Sequence, residues 1–194
     1  SSPVINMGVM FGYLSKNSDN NTVISNKIIR EVIYNYMISK TEVINMNKYN
    51  YKNNFLTDNN GLNMERVLLK FQQFMKENYS TKDKDFLERQ GVLLFLAFIK
   101  PIINGVGFEY KETQISEERR LDIVIQYNSN KYIIETKIWH GEEAHKKGLK
   151  QLNNYLDIEG LNKGYLLIFN FNKNKEYINN VYKLDGKEIF SVIV

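Results

Sequence analysis

The sequence predicts a mixed α/β protein, and three observations carry that reading. Two runs rich in Ile, Val and Tyr, Arg120–Tyr127 and Tyr132–Trp139, flank Asn128-Ser129-Asn130, the composition of a β-hairpin. Residues 142–158 follow with Leu149, Leu152 and Leu156 at helical spacing, and the pattern ends near Gly160. Tyr165–Phe171 is then a short continuous apolar run, as expected of a strand buried on both faces. A hairpin gives antiparallel pairing, and a helix between two strands gives a parallel crossover, so the sheet is mixed.

The other elements are assigned in chain order. Met7–Leu14 is apolar and reads as a short strand, and Thr22–Ile24 as a second. Ser25 or Asn26 caps a helix to about Ser39, carrying Ile28, Ile29, Val32, Ile33, Tyr36 and Met37 on one face. Asn45–Asn60 is polar and loop-like. Asn63 caps a helix over Met64–Asn78, whose Val67, Leu68, Phe71, Phe74 and Met75 keep helical spacing. A third helix runs from about Lys84 to Lys100 and is expected to stop at Pro101, because proline lacks an N–H and clashes with the preceding turn. Its half Val92–Ile99 is apolar nearly all round and belongs at the centre of the core. Phe108–Ile115 alternates and is the first strand of the sheet. Tyr177–Leu184 and Glu188–Val194 are two more strands around an Asp185-Gly186 turn, the last of them placed at an edge. The chain divides into a mainly helical segment, 1–82, and a domain, 83–194.

Composition narrows the function classes. The chain has 194 residues, 43% hydrophobic and 25% charged, enough for one domain and an appendage. No apolar run approaches the ~20 residues of a membrane span, and no signal-peptide pattern opens the chain. A soluble, cytoplasmic protein with no membrane partner is expected. The absence of Cys excludes disulfides, thiolate nucleophiles and cysteine zinc sites. A net charge of +4 and a pI near 9.0 permit a polyanionic partner without requiring one. The chain opens on Ser-Ser-Pro rather than Met and reads as a piece of a longer protein.

The hairpin concentrates charge where strands are otherwise apolar. Alternation puts Glu135 and Lys137 on one face, with Thr136 on the other, and a short turn sets Asp122 opposite Glu135 or Lys137. A buried carboxylate requires a cation or a metal. One reading is a structural ion pair in a half-exposed sheet; the other is a functional site. Lys147, Gln151 and Tyr155 lie four apart on a neighbouring stripe of the helix 142–158.

Asp122 on one strand, Glu135-Thr136-Lys137 on the next, and Gln151-Leu-Asn-Asn-Tyr155 on the following helix resemble the PD-(D/E)XK nuclease superfamily, the last element being similar to its RecB-type exonuclease branch. Leu121 stands where the family's name has Pro. The segments Lys100-Pro-Ile-Ile-Asn-Gly, Arg120-Leu-Asp, Ile134-Glu-Thr-Lys-Ile-Trp-His-Gly-Glu-Glu-Ala-His and Lys163-Gly-Tyr-Leu-Leu-Ile-Phe-Asn-Phe-Asn-Lys look like the C-terminal nuclease-like domain of bacterial AAA-ATPase-like proteins, over about Phe86 to Val194. More weakly, Gly12-Tyr-Leu-Ser and Ile24-Ser-Asn-Lys resemble the end of the ATPase portion. No Gly-rich phosphate loop with Gly-Lys-Ser/Thr is present, so this chain alone is not expected to hydrolyse ATP.

The resemblance implies a restriction-endonuclease-like core and a Mg²⁺- or Mn²⁺-dependent deoxyribonuclease. Asp122, Glu135, Lys137, Gln151 and Tyr155 are the expected catalytic set, with Asp122 and Glu135 as metal ligands. Mg²⁺ is a hard ion that takes carboxylate and carbonyl oxygens, and the Thr136 carbonyl is one more candidate. Glu88 is either a further ligand or a solvated charge at a helix start. Glu112 is a weaker candidate on the preceding strand. Tyr155 is read equally as a DNA contact and as core. Arg119, Arg120, Lys146, Lys147 and Lys150 flank the patch and are candidates for phosphate binding. His140 and His145 lack metal-site spacing and are read as substrate-side or surface residues. The alternative function is an inactive descendant of the fold that binds DNA or protein for the ATPase.

Overall fold

The computed structural model describes residues 3–10, 14–25, 52–78, 88–103, 106–116 and 119–194, with the side chains of 3, 4, 7, 8, 52, 53, 88–90, 108, 110–116 and 119–122 not described. The elements are α1 (Pro3–Met10), β1 (Leu14–Lys16), β2 (Thr22–Ile24), α2 (Met64–Asn78), α3 (Glu88–Ile103), β3 (Gly107–Ser116), β4 (Arg119–Tyr127), β5 (Asn130–Ile138), α4 (Glu142–Glu159), β6 (Lys163–Phe169), β7 (Asn179–Leu184) and β8 (Lys187–Ile193). Strands β1 and β2 form a separate two-stranded ribbon. The other six make one mixed sheet in the order β3-β4-β5-β6-β8-β7.

β3, β4 and β5 are antiparallel neighbours, β5 and β6 are parallel through the α4 crossover, and β8 is parallel to β6 and antiparallel to β7. Strand alternation then sorts side chains onto two faces. On one face Ile123, Ile125, Ile134, Leu167, Phe169 and Val192 meet Val67, Leu68 and Phe71 of α2 and Phe95 and Ile99 of α3. On the other, Val124, Ile133, Leu166, Ile168 and Ile189 meet Leu149, Leu152, Tyr155 and Leu156 of α4. The domain is therefore three layers, helices–sheet–helix. Each fully buried leucine or isoleucine contributes ~1.5–3 kcal/mol by area removed from water.

Polar groups fasten the layers. Gln72 of α2 donates through Nε2 to the Ile178 and Ile193 carbonyls. Lys163 at the start of β6 pairs with Glu65 of α2 and Glu188 of β8. Asn153 of α4 donates to Asp185 in the β7–β8 turn, and Lys187 pairs with Asp157. That turn has positive φ at Asp185 (47°) and Gly186 (76°), the two-residue geometry Asp-Gly favours because glycine has no Cβ to clash there.

Four expectations change. Residues 3–10 form a helix instead of a strand over Met7–Leu14; Pro3 at its first position has the fixed φ and missing N–H that suit a helix start. α3 does not stop at Pro101: its described part, Glu88–Ile103, passes through the proline, and the expected start near Lys84 lies outside the described residues. The completely buried Ile102 and Ile103 stabilise the last turn against the lost backbone bond. β8 is an interior strand and β7 the edge: β8 is buried nearly throughout, whereas β7 is largely exposed. The fourth concerns His145, which is buried rather than at the surface or facing a substrate. The helix expected at about 25–39 lies outside the described residues.

Leu152 is completely buried between α4 and the sheet, whereas Leu69 of α2 is exposed. Leu152→Ala is expected to cost ~2–5 kcal/mol in denaturant unfolding, and Leu69→Ala less than ~0.5 kcal/mol. Similar costs for the two would contradict the placement of α4 on the sheet.

Candidate active site

The site is built on the β4–β5 hairpin. The register pairs Ile123 with Ile134, and one residue further sets position 122 across from Glu135. Of the two registers open to the sequence, the observed ladder continues into the one that opposes positions 122 and 135. Position 122 also shares its face with Val124, and Glu135 shares its face with Ile133, both on the α4 side of the sheet.

Glu135 is 0% exposed, and its Oε1 lies 2.7 Å from Nζ of Lys137. Lys137 is the next residue on the same strand face, about 6.6 Å along at the usual rise. Its side chain is 32% exposed, so the ammonium pairs inward while keeping access to solvent. A buried carboxylate is retained only with such a partner.

α4 closes over this pair. A Cβ on Gly148 would stand 3.3 Å from Cγ of Lys137 and 3.6 Å from a methyl of Leu166. Glycine in mid-helix costs about 1 kcal/mol relative to alanine, and here it allows the helix to lie against the lysine stem. One turn on, Gln151 is half-buried and donates from Nε2 to the Tyr155 hydroxyl at 2.9 Å. Tyr155 is 4% exposed and its ring is part of the core. The bond fixes the orientation of the Gln151 amide. Lys146, Lys147 and Lys150 are exposed along α4. Asp122, Arg119 and Arg120 are on β4, Glu112 is on β3, and Glu88 is the first residue of α3, with their side chains outside the described set. Among the described residues no group of three or more His, Asp or Glu is placed to hold a metal ion. The described part of the donor set is the buried Glu135 carboxylate, a hard oxygen ligand of the kind Mg²⁺ takes.

His140 is exposed, as expected. His145 is not a surface residue: it is buried between Trp139 and Tyr182, at ring-centroid distances of 5.9 Å and 5.3 Å. It falls four residues before Leu149 and so continues the leucine stripe, which is the signal of burial available in the sequence. Among the described residues neither ring nitrogen has a hydrogen-bond partner. Trp139, absent from the candidate set, continues the 135–137–139 alternation onto the site's face.

A sequence model of the PD-(D/E)XK nuclease superfamily matches residues 104–181, the span that holds the hairpin, α4 and β6. The mixed sheet with helices on both faces agrees with the restriction-endonuclease-like fold of that superfamily. No curated protein matches the chain.

Burial holds the His145 imidazole below its ordinary pKa, partly opposed by the Glu142 carboxylate. The folded state therefore favours the neutral ring, while the unfolded chain takes a proton near pH ~6.5. This contribution to stability is intact above pH ~6.5 and is lost as pH falls below it towards the lower native value. Melting temperatures of wild type and His145→Phe, followed from about pH 7.5 to 5, are expected to diverge on acidification, with the wild type falling more steeply. Parallel curves would contradict the neutral, buried histidine.

Proposed function

We propose that the chain carries a nuclease domain that hydrolyses DNA phosphodiester bonds with Mg²⁺ or Mn²⁺. The observation that carries this reading is the completely buried Glu135 carboxylate, paired with a partly exposed Lys137 and set across from position 122. Apolar strands rarely keep such a pair for stability alone, since hydrophobic residues of equal volume are often as stabilising. The match over 104–181 supports the same reading.

Asp122 and Glu135 are the residues proposed to hold the ion, with Glu88 as a further ligand. A divalent ion there supplies a nucleophile near neutral pH and offsets charge on the phosphoryl oxygens. Lys137 contributes a fixed cation beside the reacting phosphate, where negative charge grows in the transition state. Gln151, oriented by Tyr155, positions the phosphate or a water. Arg119, Arg120, Lys146, Lys147 and Lys150 share the binding of the DNA backbone, so no single one of them dominates affinity.

The proposed organisation is a nuclease-like domain at 83–194 preceded at 1–82 by the end of an ATPase-like region and linker helices, with the ATPase as a partner in the longer protein. α2 of that preceding segment packs its buried face into the same core as α3 and the sheet. No helix among the described residues is long and apolar enough to cross a membrane. A cytoplasmic setting fits that composition.

The test is cleavage of single- and double-stranded DNA with Mg²⁺ or Mn²⁺, using wild type, Asp122→Ala, Lys137→Met and the double variant. Lys137→Met keeps an apolar stem against Gly148 but leaves the buried Glu135 without this cation, so its folding is checked by melting. Each single change is expected to reduce cleavage ~10²–10³-fold, with DNA binding largely kept. The double variant is expected to lose little more than either single one, because groups acting in one step are not additive. Wild type that binds DNA but cleaves nothing, in this chain and in the full-length protein, would replace the nuclease by the inactive binding module.

A further inference from the structure

Trp139 is the only tryptophan of the chain. It lies one residue past the end of β5 and two after Lys137, about 6.6 Å on if the strand rise continues. Its backbone N–H donates to the Phe169 carbonyl at 2.9 Å, which anchors it where β5 leaves the sheet. Trp139 is half-buried, so part of the residue reaches solvent, two positions from Lys137 on the same alternation. Against it sits His145, 7% exposed, tilted 50° to the indole and backed in turn by Tyr182. Among the described residues neither nitrogen of His145 has a hydrogen-bond partner, and the imidazole packs as a ring against the indole. The three rings form a contiguous aromatic cluster at the end of β5.

We propose that Trp139 is a stacking platform for the nucleobase next to the phosphate held at Lys137, and that the substrate is therefore unpaired DNA: a single strand or a frayed end. The inference rests on the nuclease reading above and adds the substrate class. The spacing suits it, because the base attached to a bound phosphate lies several ångströms from it, within reach of a ring two residues away. The chemistry selects against duplex. A paired base is already covered on both sides by its neighbours, whereas an unpaired base has a free face to offer an aromatic ring. His145 is a positioning residue in this arrangement, acting through Trp139.

The sole tryptophan makes the contact directly observable. Wild type in EDTA, excited where tyrosine does not absorb, is titrated with a short fluorophore-labelled dT oligomer or a labelled duplex of equal length, and binding is followed in parallel by anisotropy. The single strand is expected to quench the tryptophan as it binds, and the duplex is not. Trp139→Ala is expected to weaken single-strand binding roughly 5- to 150-fold with little change for duplex, and Trp139→Phe to restore part of the loss. In steady-state cleavage with Mg²⁺, Trp139→Ala is expected to raise KM more than it lowers kcat. Binding of the single strand with unchanged fluorescence would overturn the proposal while leaving metal-dependent cleavage, and so the nuclease reading, intact. A wild type that neither binds nor cleaves any DNA would overturn both. The wild-type titration decides the matter even if Trp139→Ala fails to fold.

Discussion

A carboxylate with no exposure to water, in the middle of a β-sheet, is the constraint on which the rest of this domain depends. Glu135 is held there by the Lys137 ammonium 2.7 Å away. The pairing of β4 with β5 sets which residue faces it. A one-residue slip of that register would turn the opposing position to the other face. The buried isoleucines on both strands resist such a slip, because it would move them as well. The apolar pattern of the hairpin thus protects the geometry of its few charged positions.

The α4 layer depends on the same pair. Its leucine stripe seals the sheet, Gly148 gives room for the Lys137 stem, and the Gln151–Tyr155 bond brings an oriented amide onto the neighbouring turn. Towards its C-terminal end the helix is tied to the β7–β8 turn through Asn153–Asp185 and Asp157–Lys187. Those ties resist sliding of the helix along its axis, which is the motion that would carry Gly148 and Gln151 away from β5.

Much of this was legible in the sequence, because strong local patterns coincide with tertiary burial. The hairpin, the helix after it and the buried β6 strand each combine periodicity with recognisable ends. So do Glu135 and Lys137, whose spacing of two residues forces a common face. The parts that misread are those where the deciding interaction is non-local. The apolar run Glu188–Val194 gives no sign of having a partner on each side, so β8 was placed at the edge that β7 occupies. Pro101 breaks an isolated helix, yet two fully buried isoleucines beyond it extend α3. Its residue type suggests a substrate-side or surface role for His145, whereas its position on α4 places it between Trp139 and Tyr182. The hairpin pattern ends at Trp139, and the surroundings of such an end residue depend on non-local packing, here by His145.

The central claim is that the Glu135 carboxylate is kept buried to hold a divalent ion. Calorimetric titration of Mn²⁺ into wild type and into Glu135→Gln, a change that keeps shape and removes charge, tests it most directly. The account predicts saturable binding to the wild type and its loss in the variant, with both proteins folded by circular dichroism. Equal binding to the two would show that the Glu135–Lys137 pair is a structural element of the sheet and not part of a metal site.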